Sequence, residues 1–382
     1  MSLHIHMTGQ SKSLLACEDP LQLPARASRA SSRLAAILLA IFLSFPMISA
    51  YAQESTAEPA SVDEEAEALV EAAPPEPVAA PVRSDKQPKP AEMSSYAVRG
   101  LLLDIDYTGE QLIAVGERGN IIVSKDGAQW TQLEVPVRAT LTAVSFVDAQ
   151  HGWVVGHDAT IIHTRDGGAT WSVQAFNPEL EQPLHNVLFL DQSRGYAFGS
   201  FGLFWQTSDG GKSWMEVHAP TVLEEGFHLN GMAQLKNGEL LLVGEAGLLG
   251  YSTDGVSWER LESPYEGSFF GVVPRGEKGA LVYGMRGNVY VTDDVSEAQW
   301  RKVELDTVSS IYGAWAKDDG AVILVGADAT VMTVQADGSV EHAATDSSHA
   351  STDTINSAVR WPGGLMTVGE SGVQPFGSKA AE

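Results

Sequence analysis

An all-β fold, a seven-bladed β-propeller, is predicted by three features of this 382-residue sequence. Short apolar stretches ending in glycine recur seven times, as Val115-Gly116, Val155-Gly156, Phe198-Gly199, Val243-Gly244, Tyr283-Gly284, Val325-Gly326 and Val368-Gly369, at intervals of 40 to 45 residues. That interval is the length of one four-stranded blade. A Ser/Thr-x-Asp-Gly turn recurs after four of these stretches, and apolar/polar alternation of strand type fills the sequence between.

The chain opens differently. Residues 34–45 (LAAILLAIFLSF) are apolar, Arg26, Arg29 and Arg33 precede them, and Ala50-Tyr51-Ala52 follows. A basic region, an apolar core and small residues at a cleavage site form a secretory pattern. Residues 1–52 are therefore expected to be a signal peptide cut after Ala52, delivering a periplasmic protein. The alternative is an uncleaved membrane anchor, against which Pro46 and Ser49 interrupt the run short of the roughly 20 apolar residues a span needs. Cys17, the only cysteine, lies before the apolar run and not at its end, which disfavours a lipoprotein. It also leaves no intramolecular disulfide or cysteine-based zinc cluster.

Residues 53–92 are rich in Pro, Ala and acidic side chains and contain no aromatic residue. Such a stretch buries too little apolar surface to offset its chain entropy and is expected to be a disordered tether. The propeller then occupies residues 93–382. Over the whole chain 49 Asp and Glu face 24 Lys and Arg, a formal net charge of −25 that argues against nucleic acid as a partner.

Within a repeat the strands are read by alternation. In the second unit 141–147 is the inner strand A, 152–155 strand B and 160–164 strand C, with strand D beginning at Trp171. The C–D turn reads Thr164-Arg-Asp166-Gly-Gly168-Ala-Thr170-Trp171, and again Thr207-Ser-Asp209-Gly-Gly211-Lys-Ser213-Trp214. Ser124, Asp126 and Trp130, and Ser252, Asp254 and Trp258, mark forms one residue shorter. The hydroxyl and carboxylate can bond the turn's own N–H groups, glycine can adopt positive φ, and the Trp can pack under the sheet.

This pattern is similar to the Asp box of the bacterial neuraminidase repeat. The region from Leu101 to Phe376 also resembles the photosystem II stability/assembly factor family of seven-bladed propellers, through Leu101-Leu-Leu-Asp-Ile105, Val115-Gly-Glu-Arg-Gly119 and His151-Gly-Trp-Val-Val-Gly156. The resemblance implies a non-catalytic assembly, stability or accessory factor whose partner is a protein of a membrane or envelope complex, transporters included. A monomer is expected.

The repeat is imperfect at its end. In unit five the box stretches to Thr292-Asp293-Asp294 with Trp300 later, and in unit six only Asp337-Gly338 remains. Unit seven supplies three strands at most, so residues 94–99 (SSYAVR) are expected to contribute the strand that closes it.

Catalytic readings fare poorly. A sialidase clamps a carboxylate with an arginine cluster beside a Tyr nucleophile and an Asp acid/base. Its Phe/Tyr-Arg-Ile-Pro segment is absent, and only Arg118 and Arg286 fall in loops after strand B. A glycosidase carboxylate pair among the B–C loops, or a small-ligand or sugar site, are the alternatives left open. Histidines show no metal-ligand spacing, no helix follows the glycine-rich segments, and no metal or cofactor is expected.

Because the C–D turns carry the Asp boxes, the face they share with the A–B turns is committed to structure. The partner surface is expected on the opposite face, which carries the B–C loops and D–A connections. The B–C candidates are Glu117, Arg118, His157, Asp158, Phe201, Glu245, Met285, Arg286, Asp328 and Glu370.

Overall fold

The computed structural model describes residues 76–342 and 352–376; the expected signal peptide and residues 53–75 of the tether lie outside the described residues. The described chain is an all-β, seven-bladed propeller. Six sheets have four strands and the last has three, each antiparallel and in chain order from inner strand A to outer strand D. The blades cover residues 102–132, 141–175, 184–216, 229–260, 269–303, 311–342 and 355–376. Each A strand packs against the next, and that of blade 7 against that of blade 1, so the ring closes. The second repeat unit has strands at Leu141–Phe146, Gly152–Gly156, Thr160–Thr164 and Ser172–Ala175, within one residue of their predicted limits.

Strand B is buried on both sides in every blade, which explains its unbroken apolar sequence. Seven apolar clusters fill the gaps between neighbouring sheets, one for each pair of blades. Between blades 2 and 3, for example, Trp153 is fully buried and stacks on Phe189 with ring centroids 3.5 Å apart. No blade can bury its faces alone, so stability is a sum of contacts between neighbours.

The repeated glycine that ends strand B has a steric cause. A Cβ on Gly116, Gly156, Gly199, Gly244, Gly284, Gly326 or Gly369 would collide with a backbone carbonyl oxygen just before the facing A strand. Opposite each glycine the A strand carries a β-bulge, at residues 103, 142, 185, 230, 270, 312 and 356. The extra residue turns its side chain off the ladder, toward the axis.

Several bulge side chains then tie one blade to the next. Thr142 Oγ1 donates to Leu184 O, Asn230 Nδ2 to Phe269 O and Asn356 Nδ2 to Leu102 O, all at 2.8 Å. His185 Nδ1 lies 3.2 Å from Leu229 O. Blade 1 reverses the polarity: Asp104 and Asp106 accept the N–H groups of Val144 and Phe146 at 2.9 and 2.8 Å.

Two expectations are corrected. Residues 94–99 do reach blade 7, where Val373 N donates to Val98 O at 3.1 Å, but they form turns and not a fourth strand. The ring is closed instead by Asn356 on Leu102 and by Ser357 Oγ, which donates to Asp104 Oδ1 at 2.8 Å. Residues 76–92, read from composition as tether, lie along the outer strands of blades 3, 2 and 1. Ala79 bridges Met215, Arg83 bridges Phe176, and Ala91 N donates to Val135 O at 2.9 Å. Composition measures what a segment buries by itself; here the unpaired backbone of the D-strand edges supplies the missing partners. Prolines lacking N–H are tolerated on such an edge.

Candidate functional site

All ten candidate residues lie between strands B and C, one tight loop per blade. These loops place non-glycine residues in the left-handed region, with φ of 58° at Arg118, 58° at Asp158, 55° at Phe201, 58° at Arg286 and 55° at Asp328. That conformation costs of order 1–3 kcal/mol for a residue with a side chain, and here it sits in six of the seven turns. Phe201 is 60% exposed, and the Arg118 side chain is 66% exposed.

The structure groups these residues in small sets and not in one cluster. Arg118 pairs with Glu92 of the N-terminal strap at 3.4 Å and lies 3.9 Å from Glu117. Arg286, four blades on, is exposed and makes no ion pair among the described residues. Phe201 and Glu245 are brought together through His228. The Phe201 ring lies edge-on to the imidazole at 4.8 Å, its N–H donates to Nδ1 at 3.0 Å, and Glu245 Oε2 accepts the His228 N–H at 3.2 Å.

Other candidates shape the loops themselves. Glu370 Oε2 accepts the Thr354 N–H at 3.2 Å, and Asp328 Oδ2 accepts from Ser309 Oγ at 2.7 Å. The backbone of His157 and Asp158 bonds to Thr140 O and Asn177 N. Met285 offers its carbonyl to Asn288 Nδ2 at 3.0 Å.

The opposite face holds the Ser/Thr-x-Asp-Gly turns that resemble Asp boxes. Thr164 Oγ1 accepts the buried Gly168 N–H at 2.8 Å and donates to Asp166 Oδ1 at 2.8 Å. Asp166 in turn accepts both the hydroxyl and the N–H of Thr170, and those bonds hold its carboxyl below the usual range. The second long box repeats this through Thr207, Asp209, Gly211 and Ser213. In the short boxes Ser124 and Ser252 bond Gly127 N and Gly255 N. Trp214 and Trp258 are buried, while Trp130 and Trp171 are half-buried.

Sequence reading missed the axial residues. The bulge and the residue after it line a cavity of about 340 Å³ that includes Asp104, His185, Asn186, Asn230, Phe270, Tyr312 and Ser357. Burial holds the His185 imidazole below its ordinary range; its Nε2 lies 2.9 Å from Ser200 Oγ. The signal lay in register: aligning the seven repeats places an amide, hydroxyl or aromatic residue directly after the first buried residue of strand A in six of them.

Comparison with known proteins places these features in a family. The profile of the family described as "Photosynthesis system II assembly factor YCF48" matches residues 122–183 and 174–351. The photosystem II assembly protein Ycf48 of Thermosynechococcus vestitus is 46% identical over 50 residues, 13% of this chain and 14% of that protein. A photosystem II assembly lipoprotein Ycf48 from a Synechococcus strain is 25% identical over 221 residues, 56% of this chain and 53% of its own length. The chain thus spans about half, or much less, of these relatives. Among solved structures, one described as "YCF48 bound to D1 peptide" superposes with a TM-score of 0.59 at 18% identity, covering 77% of this chain and 97% of that one. YCF48 from Cyanidioschyzon merolae gives a TM-score of 0.59 at 15% identity, covering 75% and 98%. At these identities the likeness is one of fold.

Proposed function

The chain belongs to the photosynthesis system II assembly factor YCF48 family, and from that premise we propose that it is a non-catalytic binding factor for a component of a membrane-protein complex. The observation that carries this reading is where apolar side chains remain exposed. Phe201 is in a B–C loop, Val308 in a D–A connection and Tyr312 at the start of an A strand, with exposures of 60%, 83% and 39%. Met93 and Tyr96 stand beside the Arg118 loop and are 50% and 71% exposed. Exposed apolar residues that gather on one face favour protein contact. Phe201, Val308 and Tyr312 lie on or at the face opposite the Asp boxes; on the Asp-box face Val256 stands alone among the exposed large apolar residues described, while Val78 lies on the strap.

The relative described as bound to a D1 peptide, and the one described as a lipoprotein, support a partner in or near a membrane. An envelope location, a signal peptide over residues 1–52, a transporter as partner and a monomeric state belong to the same proposal. Arg118, Arg286 and Phe201 are its anchors, since Trp, Tyr and Arg, with other aromatics, dominate such surfaces. A photo-crosslinker placed at position 201 tests it in native membranes. Recovery of one membrane-complex subunit, lost when the probe sits at Val256 on the Asp-box face, is the expected result. Equal yields from both positions, or from neither, refute it.

A further inference from the structure

The axial cavity has features that neither the ring's closure nor the rim loops require. Tyr283 belongs to strand B of blade 5, behind the wall, yet its ring reaches across Gly271, where any Cβ would strike the phenol, and lines the axial space. The side chain is only 8% exposed, and its hydroxyl has no hydrogen-bond partner among the described residues. The hydroxyl oxygen itself is not fully enclosed, so it is open to a donor from the axial space. Burial, and then the Asp104 carboxylate, push that hydroxyl above its ordinary range, so Asp104 acts on the same space.

The rest of the wall selects a charge. Asp104 lines the cavity, and no Lys or Arg does. Its oxygens accept from Val144 N, Ser357 Oγ and Ile105 N, which leaves room for one more donor. Burial shifts the His185 imidazole below its ordinary range, which disfavours its charged form. Phe270 and Tyr312 stack on each other at 5.3 Å and replace, in blades 5 and 6, the polar bulge residues that tie other blades together. Aromatic rings and a carboxylate that line one cavity, in a protein of net charge −25, favour a cation.

We propose that the axial cavity binds a small organic ammonium ion, with Asp104 as counter-charge, the Tyr283 hydroxyl as hydrogen-bond acceptor and Phe270 with Tyr312 as the aromatic wall. A volume of about 340 Å³ suits a molecule of small-metabolite size. The cation is either a free amine or a lysine side chain presented by a partner. This site is independent of the rim loops: it stands whether or not Phe201 anchors a protein.

Isothermal titration of the full chain with 1,4-diaminobutane tests it, with 1,4-butanediol as the uncharged control. About 0.15 M salt screens the diffuse field of the surface carboxylates. Saturable one-to-one binding is expected, at least tenfold weaker in Asp104→Asn, several-fold weaker in Tyr283→Phe and unchanged in Glu262→Gln on the exposed rim. If Asp104→Asn does not fold, Tyr283→Phe and Tyr312→Leu decide, and unchanged affinity in both overturns the site. Absence of saturable binding, equal binding of the diol, or equal weakening by Glu262→Gln also overturns it. An acetylated, amidated Ala-Lys-Ala peptide distinguishes the sources: tighter binding than the diamine assigns a partner's lysine, weaker binding a free amine.

Discussion

Thr164 and Asp166 sit two residues apart in one turn and do different physical work. The hydroxyl satisfies a buried N–H, that of Gly168, whereas the carboxylate satisfies the exposed N–H of Thr170. Water can replace the second partner but not the first. Thr164→Val is therefore expected to cost about 1–3 kcal/mol and Asp166→Ala distinctly less, reversing the order the conspicuous aspartate suggests; urea denaturation of both variants checks this. A second residue-scale prediction concerns acid. Burial, then Arg165, lowers the His163 imidazole from 6.5 to about 4, so the stability it contributes is present above pH 6.5 and is lost as pH falls toward 4. Asp104 has the opposite sign. Burial raises it from 3.8 to about 6, so its contribution is fully present below 3.8 and is lost as pH rises through 6. In His163→Phe the first slope disappears and the second remains. The melting temperature of that variant, relative to the parent, is expected to climb between pH 6.5 and 4 in calorimetry; a constant difference would contradict the assignment.

At the scale of elements, the pairing of a repeated glycine with an A-strand bulge organises every blade. Gly244→Ala is expected to destabilise by roughly 2–4 kcal/mol, because the obstacle is the His228 carbonyl of the backbone and not a side chain that can swing away. A Gly238→Ala control, at an open turn with φ of 95°, carries conformational strain without a clash and should cost less. The N-terminal strap obeys a different balance. Its hydrogen bonds and the burial of Ala80 are set against about 1–2 kcal/mol of backbone entropy for each residue ordered. Deleting residues 76–92 is accordingly expected to leave the melting temperature nearly unchanged, whereas extending the deletion through 99 removes the buried Ala97 and the contact to Val373, and lowers it. Equal effects of the two deletions would show that the strap itself carries the stability.

Over the whole molecule, the two faces divide their labour. The Asp-box face spends its carboxylates on its own turn backbone, and the other face leaves aromatic and arginine side chains at left-handed turn tips. Arg118→Ala combined with Arg286→Ala, and separately Phe201→Ala, are expected to weaken capture of the membrane partner while changing stability by no more than about 0.5 kcal/mol, as surface changes usually do. Pull-down with each variant, beside a melting curve, tests both halves. Arg118 has a competing partner in Glu92, so Glu92→Gln is expected to leave capture intact or improve it.

Seven units, the strand limits of the second and four locked turns were legible in the sequence because each rests on a local rule: alternation, glycine at a close approach, a hydroxyl and carboxylate within a few residues of the N–H groups they serve. Which residues stand in the B–C loops was legible for the same reason. Their company was not: Phe201 with His228, Arg118 with Glu92 and Ser357 with Asp104 are pairs separated by 27, 26 and 253 residues. Only the closed ring decides those contacts, because a bulge turns a side chain toward an axis that exists once all seven blades are in place. The strap shows the same limit from the other side: its composition lacks a core of its own, and the sheet edges that receive it belong to other repeats.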